Sequence, residues 1–185
     1  LERIQAICEE ITVPVIVKET GFGMSYESVK KLSSLSLGAV DIGGFGGTNF
    51  AAIENERRKK ALSYFNNWGI PTAASIIEAA HAANQLDIIA SGGIQDSLDI
   101  VKSFALGAKA AGLAGYLLKI LLDEGLHAVI EEVQTIHGDI KMIMCALGAE
   151  KIADLDKVAV VFTGELYQWL QARGLEPDHF SRRSC

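Results

Sequence analysis

The sequence runs to 185 residues, 49% of them apolar and 22% charged, which is chain enough for one sizeable core and too little to require two. A net charge of −6, with the one basic cluster (Arg57, Arg58, Lys59, Lys60) set beside Glu54 and Glu56, argues against a nucleic-acid partner and reads as a solvated helix face. No apolar run is long enough to cross a bilayer, and three widely spaced cysteines, Cys8, Cys145 and Cys185, suit the reduced thiols of a cytoplasmic protein rather than a disulfide framework.

Residues 1–8 already read as an amphipathic helix, so the sequence is expected to be a piece of a longer protein. Residues 13–18 are nearly continuous in β-branched side chains, as in a strand buried on both faces, with Pro14 in its first turn. Ser25 caps a predicted helix over 25–35, ended by Gly38, and 39–42 make a second strand. Further strands are predicted at 70–73, 87–90 and 110–113, with helices over 75–83 and 96–106 between them. Five βα units in alternation predict a parallel sheet with right-handed crossovers. From 116 to 147, and again from 164 to 173, the pattern is helical; 158–162 interrupts it as a short extended segment. One domain is expected over 1–176, followed by a polar tail, 177–185, that frays.

In parallel α/β folds ligands meet the C-terminal ends of the strands. The predicted ends carry Lys18-Glu19-Thr20, the run Gly43 to Asn49, Ala73-Ala74-Ser75, Ser91-Gly92-Gly93-Ile94, and Gly112-Leu113-Ala114-Gly115. Three of the five are glycine-rich. Ser91-Gly92-Gly93 precedes a helix that Asp96 caps, and Ala114-Gly115 opens the next, so bare N–H groups at two adjacent strand ends match the phosphate site of many eight-stranded barrels. The competing reading is that these glycines serve only tight turns; two adjacent loops favour phosphate. Were these the last two strands of a barrel, three strands would precede Leu1. Lys18, a cation at the end of an apolar strand, needs an anionic partner: a phosphate or anionic ring, or a carboxylate, either Glu19 or another at a strand end. Gly43 to Phe50 suits close approach to a flat or phosphorylated ligand but is no P-loop, since no Lys follows its glycines. His81, His127, His137 and His179 fall on helices or in the tail, away from the strand ends, and Trp68 reads as a packing residue.

Val15-Ile16-Val17-Lys18-Glu19-Thr20-Gly21-Phe22-Gly23-Met24, Asp41 through Glu54, Trp68 through Ala73, Ser91-Gly92-Gly93-Ile94 and Ile143 through Gly148 resemble, in the same order, the type 2 isopentenyl-diphosphate isomerases. The resemblance implies a TIM (β/α)8 barrel of which this chain supplies about the last five βα units plus C-terminal helices. It implies FMN and Mg²⁺ as cofactors, NADPH as reductant, isopentenyl and dimethylallyl diphosphate as the interconverted substrates, and a homo-oligomer of four or more subunits. By that likeness Lys18 meets the pyrimidine side of the flavin, where the reduced ring holds negative charge. Thr48 and Gly43 contact flavin, Gly92, Gly93, Ala114 and Gly115 hold its phosphate, and Phe50 walls the hydrocarbon end of the substrate. The flavin itself is the acid and base, so no side chain here is catalytic. The family's Gln, its Mg²⁺-binding Glu and its basic diphosphate grip lie upstream of these residues. Phe45 stands where Lys or Arg is common, Gln95 where Arg is frequent, and Gly43 where some members have Ser. Two other classes share these loops or this shape: an FMN-dependent barrel oxidoreductase of 2-hydroxy acids, which needs a His and an Arg near the flavin, and an inactive phosphate-binding half-barrel, whose unpaired edges invite association.

Overall fold

The computed structural model describes residues 1–83 and 85–184. Among them, four parallel strands form one sheet in sequence order: β1 (Ile16–Lys18), β2 (Ala39–Asp41), β3 (Asp87–Ser91) and β4 (Ala110–Gly112). The register sets Lys18 opposite Asp41, Asp41 opposite Ile89, and Ser91 opposite Gly112, so the polar C-terminal residues of the strands share one edge of the sheet. The helices are α1 (Glu2–Glu10), α2 (Tyr26–Leu32), α3 (Phe50–Arg57), α4 (Thr72–Ala82), α5 (Ser97–Ala105), α6 (Gly115–Asp123), α7 (Leu126–Ala146), α8 (Gly164–Ala172) and α9 (Pro177–Ser181). Buried apolar residues of β2 and β3 (Val40, Ile88, Ala90) meet those of α2, α4 and α5 (Val29, Ile76, Ile77, Ile100, Val101, Phe104) in one core. A parallel strand needs such cover because its return connection is a helix.

Three expectations are corrected. Residues 70–73 form no strand: they touch the sheet region through one isolated bridge, Phe45 with Pro71. Pro71 lacks the N–H that a central strand donates, and it stands instead at the N-cap of α4, which begins at Thr72. The described chain therefore supplies four strands rather than five, and Ala73-Ala74-Ser75 lies inside a helix, not at a strand end. The described part of the tail, 177–184, is packed rather than frayed: Pro177 and Phe180 are buried in α9, Phe162 packs edge-on against Phe180, and the Arg183 guanidinium lies over the Phe180 ring while donating to the Ala105 carbonyl at 2.7 Å. Cys185 lies outside the described residues. Residues 158–162 join no sheet; the Val160 N–H donates to the Phe180 carbonyl at 3.0 Å.

The remaining elements agree to within a turn. Ser25 caps α2 by accepting from the Ser28 N–H, and Asp96 caps α5 by accepting from the Asp99 N–H at 2.8 Å. Arg57 closes α3, whereas Lys59 and Lys60 lie beyond it, all three exposed. Trp68, expected to pack, is instead exposed, with only its edge-on contact to Phe65, and it does not line the strand-end cavity. No helix of the described residues is long and apolar enough to cross a membrane.

Candidate functional site

One cavity of about 830 Å³ opens along the C-terminal edge of the sheet, within the size range of cofactor pockets. Lys18, Gly43, Thr48, Phe50, Gly92, Gly93, Ala114 and Gly115, far apart in sequence, all line it. Strand register explains the meeting: each residue ends a strand, lies in the loop that follows it, or opens the next helix, and parallel pairing sets those ends side by side. Tyr116 and Lys119, on the first turns of α6, also line the cavity and were not singled out from the sequence.

The glycines sort into two kinds. A Cβ on Gly92 would stand 2.0 Å from the Gly44 carbonyl oxygen, and one on Gly93 2.5 Å from that of Gly46, at φ of +101° and +74°. The Gly43–Gly47 loop thus rests backbone to backbone on Gly92-Gly93, and the Gly44 N–H donates to the Ser91 carbonyl at 2.7 Å. These glycines are demanded by the fold, as the tight-turn reading holds. Gly115 is different: its φ is ordinary and a Cβ there would meet no atom within 4 Å. Nothing within the described chain requires a glycine at that point of the cavity wall.

The two helix starts beside the cavity differ as well. At α5, the Asp96 and Asp99 carboxylates accept from the N–H groups of Asp99 and Gln95, so this end already carries its own negative charge. At α6, Ala114 occupies the N-cap and offers no side-chain acceptor, leaving the first-turn N–H groups to face the cavity beside Gly115. An anion is accommodated at α6 and opposed at the start of α5.

Lys18 is the cation of the strand ends. Its ammonium pairs with Asp41, donates to Ser91 Oγ at 3.0 Å, and keeps its side chain 58% exposed. The carboxylate partner is Asp41 on the neighbouring strand rather than Glu19. Glu19 turns aside to accept from the N–H groups of Gly21 and Phe22 at 2.6 and 2.5 Å. Asp41 accepts in addition from Ser91 Oγ and, at 3.2 Å, from the Gly43 N–H. Asp41 is thus the strand-end carboxylate that answers the Lys18 ammonium, and a carboxylate at the end of an otherwise apolar strand is the sequence signal that singles it out.

The loop that carries Thr48 and Phe50 is held by asparagines. Asn49 caps α3 through the Ala52 N–H at 2.9 Å, and Asn55 accepts from the Leu62 N–H at 2.8 Å while donating to the Leu62 carbonyl at 3.0 Å. Phe50 is left exposed on the cavity wall. Among the described residues, no histidine and no Arg lines the cavity. Among the described residues no three His, Cys, Asp or Glu side chains come together to hold a metal.

The fold is shared with solved flavoenzymes at low identity. An (S)-mandelate dehydrogenase mutant superposes with a TM-score of 0.63 at 19% identity, over 83% of this chain and 38% of that one. A mandelate oxidase mutant with (S)-mandelic acid gives 0.66 at 19%, over 86% and 44%. A flavocytochrome b2 mutant with benzoylformate gives 0.64 at 19%, over 90% and 42%. In sequence, the isopentenyl-diphosphate delta-isomerase of Bacillus pumilus (strain SAFR-032) is 53% identical over 184 residues, all of this chain and 52% of that protein. Those of Bacillus cytotoxicus and Geobacillus sp. are 55% and 47% identical, again over 99% of this chain and 52% of theirs. The chain therefore spans about half the length of the curated relatives it matches. The profile of the family described as FMN-dependent dehydrogenase matches residues 1–161. With a parallel strand-end cavity, an ammonium on its wall and a profile match over most of its length, the chain belongs to the FMN-dependent dehydrogenase family.

Proposed function

We propose that this chain supplies the flavin-holding half of a TIM barrel that interconverts isopentenyl and dimethylallyl diphosphate with FMN. The observation that carries the reading is the joint placement of Lys18, Thr48, the two glycine loops and the bare α6 start on one cavity. Curated relatives of that name match at 47% to 55% identity across this chain. The residues present fit FMN: an exposed ammonium suits an anionic ring, and uncapped N–H groups beside the open wall at Gly115 suit a phosphate.

Reduced FMN, when bound, supplies the acid–base chemistry at the allylic carbons. The chain's own residues bind and orient. Lys18 would offer its ammonium to a bound anionic ring, and Thr48 and the Gly43 loop, on the same cavity wall, would contact it. Gly92, Gly93, Ala114 and Gly115 hold the phosphate, most strongly at α6, where no carboxylate opposes it. Phe50 walls the substrate's hydrocarbon end. NADPH as the reductant and a homo-oligomer belong to the same reading. Mg²⁺ does too, although no cluster among the described residues would ligate it, so no step is assigned to it here.

A second reading, oxidation of a 2-hydroxy acid, draws on the superposed mandelate enzymes. It needs a His and an Arg beside the flavin, and the cavity wall formed by the described residues holds neither. The test uses the full-length protein. It is expected to purify with a flavin spectrum and, once reduced, to convert isopentenyl diphosphate without net consumption of reductant. Stoichiometric oxidation of mandelate or lactate, with no action on the diphosphate, would contradict the proposal.

A further inference from the structure

At the strand ends one charged group has no part in the reading above. Asp41 ends β2 directly across from Lys18, with its side chain only 12% exposed. One carboxylate oxygen takes the Lys18 ammonium; the other accepts from Ser91 Oγ and the Gly43 N–H. Ser91 Oγ in turn lies 3.0 Å from Lys18 Nζ, so three residues on three adjacent strands close a ring of contacts.

Withdrawing a carboxylate this far from water is costly, and an apolar side chain in a strand would have avoided that cost. The backbone ladders on both sides of β2 already join β1 to β3, so sheet cohesion does not call for the charge. What the carboxylate does is tether a flexible four-carbon cation that is otherwise free to sample solvent. It also sets a negative charge beside that cation on the wall a ligand meets.

We infer that Asp41 is a positioning residue: with Ser91 it fixes the Lys18 ammonium on the cavity wall and moderates the positive charge that a bound flavin ring meets there. The inference rests on the FMN reading. A ring that gains negative charge on reduction binds more tightly beside a net cation, and the Asp41 charge opposes that gain.

The experiment is the midpoint potential of FMN bound to the full-length protein. Asp41→Asn keeps the shape and removes the charge. It is expected to favour reduced over oxidised FMN about tenfold relative to wild type, a rise of about 30 mV for a two-electron couple. Lys18→Met is expected to shift the potential the opposite way. A purely structural Asp41 would change stability and leave the ratio of the two affinities alone. If Asp41→Asn does not retain flavin, Ser91→Ala serves instead. It deletes the hydrogen bond that disperses the carboxylate charge and is expected to lower the ratio roughly threefold, on the same electrostatic argument. An unchanged potential in whichever of these two variants retains flavin overturns the inference while leaving the FMN reading intact. A wild-type protein that retains no FMN overturns both.

Discussion

Two carboxylate–cation pairs in this molecule are built from the same chemistry and end in opposite states. On the outer layer, Glu78 of α4 is enclosed, its side chain 1% exposed. It accepts from the Tyr26 N–H at 2.7 Å, Trp169 Nε1 at 2.8 Å, and Arg173 Nε and Nη2 at 3.1 and 3.2 Å. Arg173 then spends its remaining reach on Glu27 at 2.7 Å. Both carboxylate oxygens of Glu78 are thereby occupied, and the outcome is a clamp joining α2, α4 and α8. At the strand ends, Lys18 and Asp41 also pair, yet the lysine side chain stays more than half exposed on a cavity wall with bare backbone around it. Completeness separates structure from function here: a closed pair holds helices together, and an open one retains capacity for a ligand.

Mutations sharpen that contrast. Glu78→Ala should have the largest effect, since it strands a guanidinium, an indole N–H and a backbone N–H together. A loss of about 3–5 kcal/mol is expected in urea unfolding, with FMN affinity of the folded fraction unchanged. Gly92→Ala comes next: the new Cβ would meet the Gly44 carbonyl at 2.0 Å from a left-handed backbone, so about 2–4 kcal/mol of stability and the loop pairing should be lost together. Lys18→Ala should weaken FMN about tenfold, about 1.4 kcal/mol by equilibrium titration, and cost less stability than Glu78→Ala. Gly115→Ala should leave stability within about 0.5 kcal/mol, because the site is open and Ala suits a helix start, while FMN affinity falls several-fold. A loss of stability without loss of affinity there would reverse the division between fold-demanded and ligand-facing glycines.

The smallest effect is in acid. The hydrogen bond from Arg173 lowers the Glu27 carboxyl from its ordinary 4.5 to about 2. A folded-state value below the unfolded one means the contribution is fully present above pH 4.5. It fades as the pH falls toward 2. Glu27→Gln should flatten that part of the stability–pH curve with little change at neutrality.

The sheet was legible where side chains repeat the environment. The Asp87-Ile88-Ile89-Ala90 run marks a largely buried parallel strand; the β-branched run ending at Lys18 forms the expected strand but is not buried on both faces, because it edges the described sheet and leaves Val13, Ile16 and Lys18 exposed. Ile70 to Ala73 was misread because a short apolar run does not distinguish a strand from a helix start. Pro71, lacking its N–H, decided it for the helix. The last segment was misjudged because its one large apolar residue, Phe180, sits among polar neighbours; its burial depends on Phe162 and Arg183, contacts no local pattern encodes. In the site, glycine density at the strand ends exposed the cavity, but which glycines the fold itself requires depends on loop-to-loop approach. Asp41 shows the same limit. Its pairing with Lys18 follows from register across 23 positions: of the carboxylates a strand end could offer, the one across the sheet takes the ammonium and Glu19, adjacent in sequence, does not.

The most direct measurement is a crystal structure of the full-length protein with FMN. The flavin phosphate is expected against the α6 start at Gly115 and the Gly92-Gly93 loop, with Lys18 Nζ within hydrogen-bonding distance of the ring. A phosphate seated elsewhere, or a ring beyond reach of that ammonium, would contradict it.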